Sequence, residues 1–211
     1  MYIPRKFELT DEQIAAALRN AGMAHLITPG ADGLQITPLP MMYVPGRNAL
    51  VAHMARANPH WHAADTASES VAIFTGPDGY ISPSLYATKA EGGKVVPTWN
   101  YETINVYGTL RLHDDPEWLL EHVRALSDRH EHARETPWAV VDAPEPFIAG
   151  QLKAIVGIEI AITRWEGKAK MSQNQPERNQ SSVIDGLTNS ANASEHELAS
   201  AVTTYTAVPT V

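Results

Sequence analysis

The stretch Ala24-His25-Leu26-Ile27-Thr28, Pro29-Gly30-Ala31-Asp32-Gly33, Leu34-Gln35-Ile36-Thr37-Pro38-Leu39, followed by Pro45-Gly46-Arg47-Asn48 and Ala49-Leu50-Val51-Ala52-His53-Met54, decides the fold class. Three short apolar runs are cut by two clusters of turn residues, the pattern of strands joined by hairpin connections. The same texture continues on the C-terminal side. Residues 71–75 form another β-rich run, and Gly76-Pro77-Asp78-Gly79 predicts a hairpin turn before Tyr80-Ile81-Ser82 resumes extended chain. Residues 95–107 are rich in β-branched and aromatic side chains, with Gly108 expected to divide them from the alternating Thr109-Leu110-Arg111-Leu112. Residues 154–165, apolar through Ile155-Val156-Gly157-Ile158, read as a central strand.

Helices punctuate these strands. Thr10 and Gln13 have capping-box spacing, Ile14, Leu18 and Ala21 make an apolar stripe, and Gly22 suits a left-handed stop. Asn58 is expected to cap a short helix opened by Pro59. Residues 116–130 carry Leu119, Leu120, Val123 and Leu126 on one face, and a shorter helix is expected over 144–152. About seven β runs with helices early, in the middle and late predict a mainly β, α+β fold: a small antiparallel barrel decorated by helices. One domain over 1–188 is expected, followed by a loose polar tail over 189–211.

Composition narrows the chemistry. The 211 residues carry 16 Lys and Arg against 24 Asp and Glu, a net charge of -8 that disfavours direct DNA binding. With no cysteine there is no disulfide, thiolate nucleophile or thiolate-ligated metal. The first residues lack the apolar run of a signal peptide and no stretch of about 18 apolar residues occurs, so a soluble, cytoplasmic protein with no membrane association is expected. A glycine-rich phosphate loop, a metalloprotease His-Glu helix and a nucleophile elbow are all missing.

Three polar and aromatic clusters stand out. His53-Met54-Ala55-Arg56-Ala57-Asn58-Pro59-His60-Trp61 places a guanidinium and a cap side chain where a phosphate could bind, against the plainer reading of a capped helix with solvated Arg and His. Tyr80 to Tyr86 with Val96-Pro97-Thr98-Trp99-Asn100-Tyr101 could wall a planar ring, or simply fill a barrel. Gly167-Lys168-Ala169-Lys170-Met171-Ser172-Gln173-Asn174 reads as an anion or amide site, or as a solvated loop. Histidine-rich spacing around His53, His60 and His62 allows haem or metal ligation, with surface or capping roles ahead of it.

Taken in order, these clusters resemble the PaiB-type family of FMN-binding negative transcriptional regulators. The resemblance starts at Met1-Tyr2-Ile3-Pro4 with Phe7, passes through the clusters above and Gly157-Ile158-Glu159-Ile160, and extends to about residue 188. It implies an FMN-binding split β-barrel, a homodimer with the flavin in a groove shared by two subunits. Carried onto this sequence, it implies phosphate contacts from Arg56 and Asn58 with help from His53. It also implies that Thr37-Pro38-Leu39-Pro40 lies beside the isoalloxazine, and that Trp99, Tyr101, Lys170, Gln173 and Asn174 close the site. Leu85 stands where the family pattern favours Trp, and Asn105 where it favours His. The implied function is a flavin-dependent sensor or reductase-like protein; direct DNA-binding repression and haem binding are the alternatives.

Overall fold

The computed structural model describes residues 1–207. Its helices are α1 (Asp11–Asn20), α2 (His60–Ala63), α3 (Lys89–Gly92), α4 (Pro116–Glu131), α5 (Glu145–Leu152), α6 (Glu177–Thr188) and α7 (Ala193–Thr206). Its strands are β1 (Met23–Thr28), β2 (Gln35–Pro40), β3 (Met42–Val44), β4 (Ala49–Ala55), β5 (Glu69–Ile81), β6 (Thr98–His113) and β7 (Ile155–Lys170). The strands form one antiparallel sheet in the order β2-β1-β5-β6-β7-β4-β3, the split-barrel class that the sequence predicts. Strand β7 is flanked on both sides, and residues 156–160 are all buried, as an interior strand requires.

The chain divides into two compact units. One comprises residues 1–14, 75–104 and 166–211; the other comprises 15–74 and 105–165. The first buries Phe7, Leu9, Ile81, Met171, Val183 and Leu187. The second buries Leu18, Leu26, Leu50, Val106, Leu119 and Ile158.

Local chemistry explains the helix starts. The Gln13 carboxamide oxygen accepts from Thr10 N–H at 2.8 Å and Thr10 Oγ1 accepts from Gln13 N–H at 3.3 Å, closing the expected capping box. Asp115 Oδ1 accepts from Trp118 N–H at 2.8 Å and starts α4. Gly22, in contrast, has no positive φ, so α1 ends without the expected left-handed cap and the chain runs straight on to β1.

Four expectations are corrected. Strand β5 passes unbroken through Gly76-Pro77-Asp78-Gly79, because the glycines answer to packing rather than turning: a Cβ on Gly76 would lie 2.9 Å from Glu102 Cβ, and one on Gly79 would lie 2.8 Å from Leu198. Strand β6 likewise continues through Gly108, where a Cβ would sit 2.2 Å from the Ala161 carbonyl oxygen. The polar 167–170 segment is the end of β7, not a loop. The tail expected from 189 contains α7, whose Leu198, Ala199 and Val202 are buried; residues 208–211 lie outside the described part. Small and hydroxyl residues hid an apolar stripe too sparse to register as periodicity.

Candidate functional site

In the unit formed by 15–74 and 105–165, β4 ends in the one-turn helix α2. Asn58 Oδ1 accepts from His60 N–H at 3.0 Å, the side-chain cap expected of it. His60 is 2% exposed and is bracketed by two hydroxyls, Thr28 Oγ1 at 2.8 Å from Nε2 and Thr37 Oγ1 at 2.7 Å from Nδ1. Burial holds its pKa below the ordinary imidazole value, so the ring is neutral near pH 7; one threonine donates to it and the other accepts. The Asn58 amide also donates to Thr37 Oγ1, at 3.3 Å. Thr37 is thereby fixed on β2, while the alternate residues Ile36, Pro38 and Pro40 face outward as an exposed apolar ridge and Leu39 is buried. Strand β2 is an edge of the sheet, and its prolines withhold the N–H groups that a further strand would need.

Arg56 is engaged differently from the sequence reading. Its guanidinium donates to the carbonyls of Lys153 and Ile155, each at 2.8 Å, and pairs with Asp114. It clamps the end of β4 to the start of β7. Beside it opens a cavity of about 500 Å³ lined by Pro116, Leu119, Ala149, Leu152 and Lys153 along with the Arg56–Asp114 pair.

His53 does not lie with Asn58's network but against α4. Its Nδ1 is 3.0 Å from His122 Nε2. Trp118 stacks on His113 with ring centroids 4.1 Å apart and on His122 at 5.5 Å. Glu159, 7% exposed, takes Arg111 at 3.1 Å and lies 3.5 Å from His113 Nε2. Burial, with the neighbouring His53 adding to it, lowers His122 to about 4, and burial also lowers His53. Sequence reading missed this cluster because His113, Trp118 and His122 are far from His53 along the chain. The available signal was Gly157, where a Cβ would fall 2.3 Å from the Trp118 ring. Among the described residues, no group of three or more His, Asp or Glu could hold a metal ion.

The other unit holds the second and third clusters. Trp99 Nε1 donates to Asp78 Oδ1 at 2.8 Å, and its ring meets Tyr80 edge-on at 6.3 Å. Both aromatics are about half exposed, at 51% and 53%. Lys170 Nζ donates to the Trp99 carbonyl at 2.9 Å and to Thr98 Oγ1. Tyr101 places its ring 5.1 Å from Lys168 Nζ. Gln173 is spent on the backbone, donating to the Ala169 carbonyl at 2.7 Å and accepting from Met171 N–H at 2.6 Å. It braces a turn in which Ser172 has φ of 65° and its hydroxyl accepts from the fully buried Asn100 at 2.9 Å. Asn174 is exposed. Leu85, which stands where the family pattern favours Trp, packs on α6: a Cβ on Gly186 would lie 2.5 Å from it, and its carbonyl accepts from Ser182 at 2.6 Å. Asn105 donates to the Tyr107 hydroxyl at 3.4 Å. Thr37, Asn58, Pro38 and Pro40 are thus brought together in one unit, and Trp99 and Lys170 in the other.

Residues 1–164 match the family model described as "Putative FMN-binding domain". The chain is 28% identical over 202 residues to protease synthase and sporulation protein PAI 2 of Bacillus subtilis, covering 94% of this chain and 95% of that one. It is 36% identical over 152 residues to an uncharacterized protein of Emericella nidulans, covering 67% of this chain and 59% of that protein. Among solved structures, the flavocytochrome Anf3 of Azotobacter vinelandii shares the fold with a TM-score of 0.55 at 15% identity, over 78% of this chain and 69% of that one. An FAD- and haem-binding protein of Mycobacterium smegmatis does so with a TM-score of 0.54 at 18% identity, over 76% and 71%.

Proposed function

This chain belongs to the family of the "Putative FMN-binding domain", and from that premise we propose that it is a homodimeric flavoprotein holding FMN, a flavin-dependent sensor or reductase-like protein. The observation that carries the reading is the exposed Ile36-Pro38-Pro40 ridge, made rigid from beneath by the Thr37–His60–Thr28 chain. A flat ring system gains from a preformed apolar surface with few competing donors. Bound FMN would supply electron transfer; the chain's own part is to orient the ring and keep water from it.

The phosphate end is assigned to Arg56 and Asn58. The Asp114 carboxylate paired with Arg56 is 73% exposed, and such a pair is worth roughly 0–1 kcal/mol, so a phosphate can take its place at little cost. The two carbonyls would keep the guanidinium aimed during that exchange. His53 would steady the β4 end through His122. Trp99, Tyr101, Lys170, Gln173 and Asn174 are assigned to the second copy's side of the groove. A net charge of -8 supports an effect on gene expression that does not run through gripping DNA.

FMN titrated into purified protein should be quenched in fluorescence and should raise the melting temperature. Arg56→Gln should weaken FMN at least tenfold while leaving riboflavin, which lacks the phosphate, unaffected. Wild-type protein that neither quenches FMN nor gains stability at 100-fold excess would overturn the assignment.

A further inference from the structure

Residues two apart on a strand share a face, and β7 ends with Lys168 and Lys170 on one face. Lys168 is only 8% exposed. Its ammonium donates to the Tyr2 carbonyl at 3.2 Å and lies over the rings of Tyr101 at 5.1 Å and Tyr2 at 6.0 Å. Lys170 is half-buried and donates to Thr98 Oγ1 and the Trp99 carbonyl. Neither forms a salt bridge among the described residues; the nearby Glu166 instead takes the N-terminal ammonium at 2.8 Å.

This arrangement leaves charge and donors over. An ammonium has three N–H groups; Lys168 uses one on a neutral carbonyl and Lys170 uses two on neutral oxygens. Buried charges are ordinarily paired with an opposite charge, and ring faces offset a cation only in part. Burial, chiefly, holds the Lys170 pKa below its ordinary value; Tyr101 opposes the shift and the Lys168 charge adds to it. Two neighbouring cations therefore share neutral acceptors and, among the described residues, no paired anion.

We propose that Lys168 and Lys170 form a receptor for an oxyanion, a phosphate or carboxylate group carried by a small molecule. Lysine ammoniums act as point charges toward such groups, and the leftover donors of the two side chains give the anion several hydrogen bonds at once. The exposed Tyr80–Trp99 pair lies in the same unit, joined to Lys170 through the Trp99 carbonyl, and suits a ring carried by the same molecule. The site does not depend on the flavin reading, although Lys170 enters both.

The test is thermal melting of the flavin-free, full-length chain in sodium phosphate, phenyl phosphate or benzoate, with sodium chloride at matched ionic strength as control. The expected result is a saturable rise in melting temperature with at least one oxyanion and none with chloride. Lys170→Gln should weaken the apparent affinity at least fivefold. Lys168→Met should abolish the rise while leaving the unliganded protein as stable as wild type or more so, because an apolar side chain of similar length removes an unpaired buried charge. That inversion would not arise from a lysine whose role is only structural. No saturable rise in wild type, or an equal rise in wild type and Lys170→Gln, would overturn the proposal, and the second of these needs no folded Lys168 variant. FMN and riboflavin then identify the source. Competition of phosphate by FMN but not riboflavin assigns the anion to the flavin's phosphate and overturns the assignment of that phosphate to Arg56 and Asn58; additive stabilisation by FMN and phosphate assigns it to a second molecule. If FMN does not bind at all, the flavin reading fails while the phosphate result stands by itself.

Discussion

Single residues carry much of the tension between folding and function in this molecule. His122 is the clearest case, since its folded-state pKa of about 4 lies below the 6.5 of an unperturbed imidazole. Between those values the unfolded chain binds a proton that the folded chain does not, so this contribution to stability is complete above pH 6.5 and is lost as pH falls toward 4. At 1.36 kcal/mol per unit the loss is on the order of 3 kcal/mol. Urea melts at pH 7.5 and 4.5 should show it, and His122→Gln should flatten the difference between them. Gly157 offers a second test. Its Cβ would lie 2.3 Å from the Trp118 ring, so Gly157→Ala should cost about 1–3 kcal/mol by overpacking and alter tryptophan emission. Asn58 was legible as a cap from its place before Pro59, because capping is a local matter. The use of Arg56 on the Lys153 and Ile155 carbonyls was not, since those partners are about a hundred residues away.

At the scale of elements, sequence reading succeeded where local rules dominate and failed where a neighbour changes their meaning. Helices α1 and α4 begin where their caps say they should, and β1, β2 and β4 fall on the apolar runs that announced them. Gly76, Gly79 and Gly108 announced breaks that do not occur, for a glycine that makes room for a neighbouring side chain, as at Gly76 and Gly79, or for a neighbouring backbone, as at Gly108, looks in sequence like one that turns the chain. Helix α7 was lost for a related reason. Its stripe of Leu198, Ala199 and Val202 is too thin to signal helix alone, yet all three are buried, and Tyr205 donates to Glu102 Oε2 at 2.5 Å. Burial and that carboxylate both push the Tyr205 phenol pKa upward. Leu198→Ala should therefore destabilise the protein by about 2–5 kcal/mol in denaturant unfolding, a loss that a loose tail could not produce.

For the whole molecule, the consequence to test is assembly. The ridge on β2 and the Tyr80–Trp99 pair leave apolar surface in each unit, and a homodimer that covers it should elute at twice 23.0 kDa at micromolar concentration. Elution at 23.0 kDa would remove the shared groove from the functional reading. Alternation of apolar runs with turn residues was enough to determine a β-rich sheet with helices, because patterns of period two and local caps act over a few residues. Charge and the absence of cysteine limited the chemistry in the same direct way. Only the tertiary structure decided which polar groups meet: His53 with His122, Thr37 with His60, and Lys168 beside Tyr101. Those pairings join residues 69, 23 and 67 positions apart, and what brings them together is strand order and packing, which no local signal in the chain encodes.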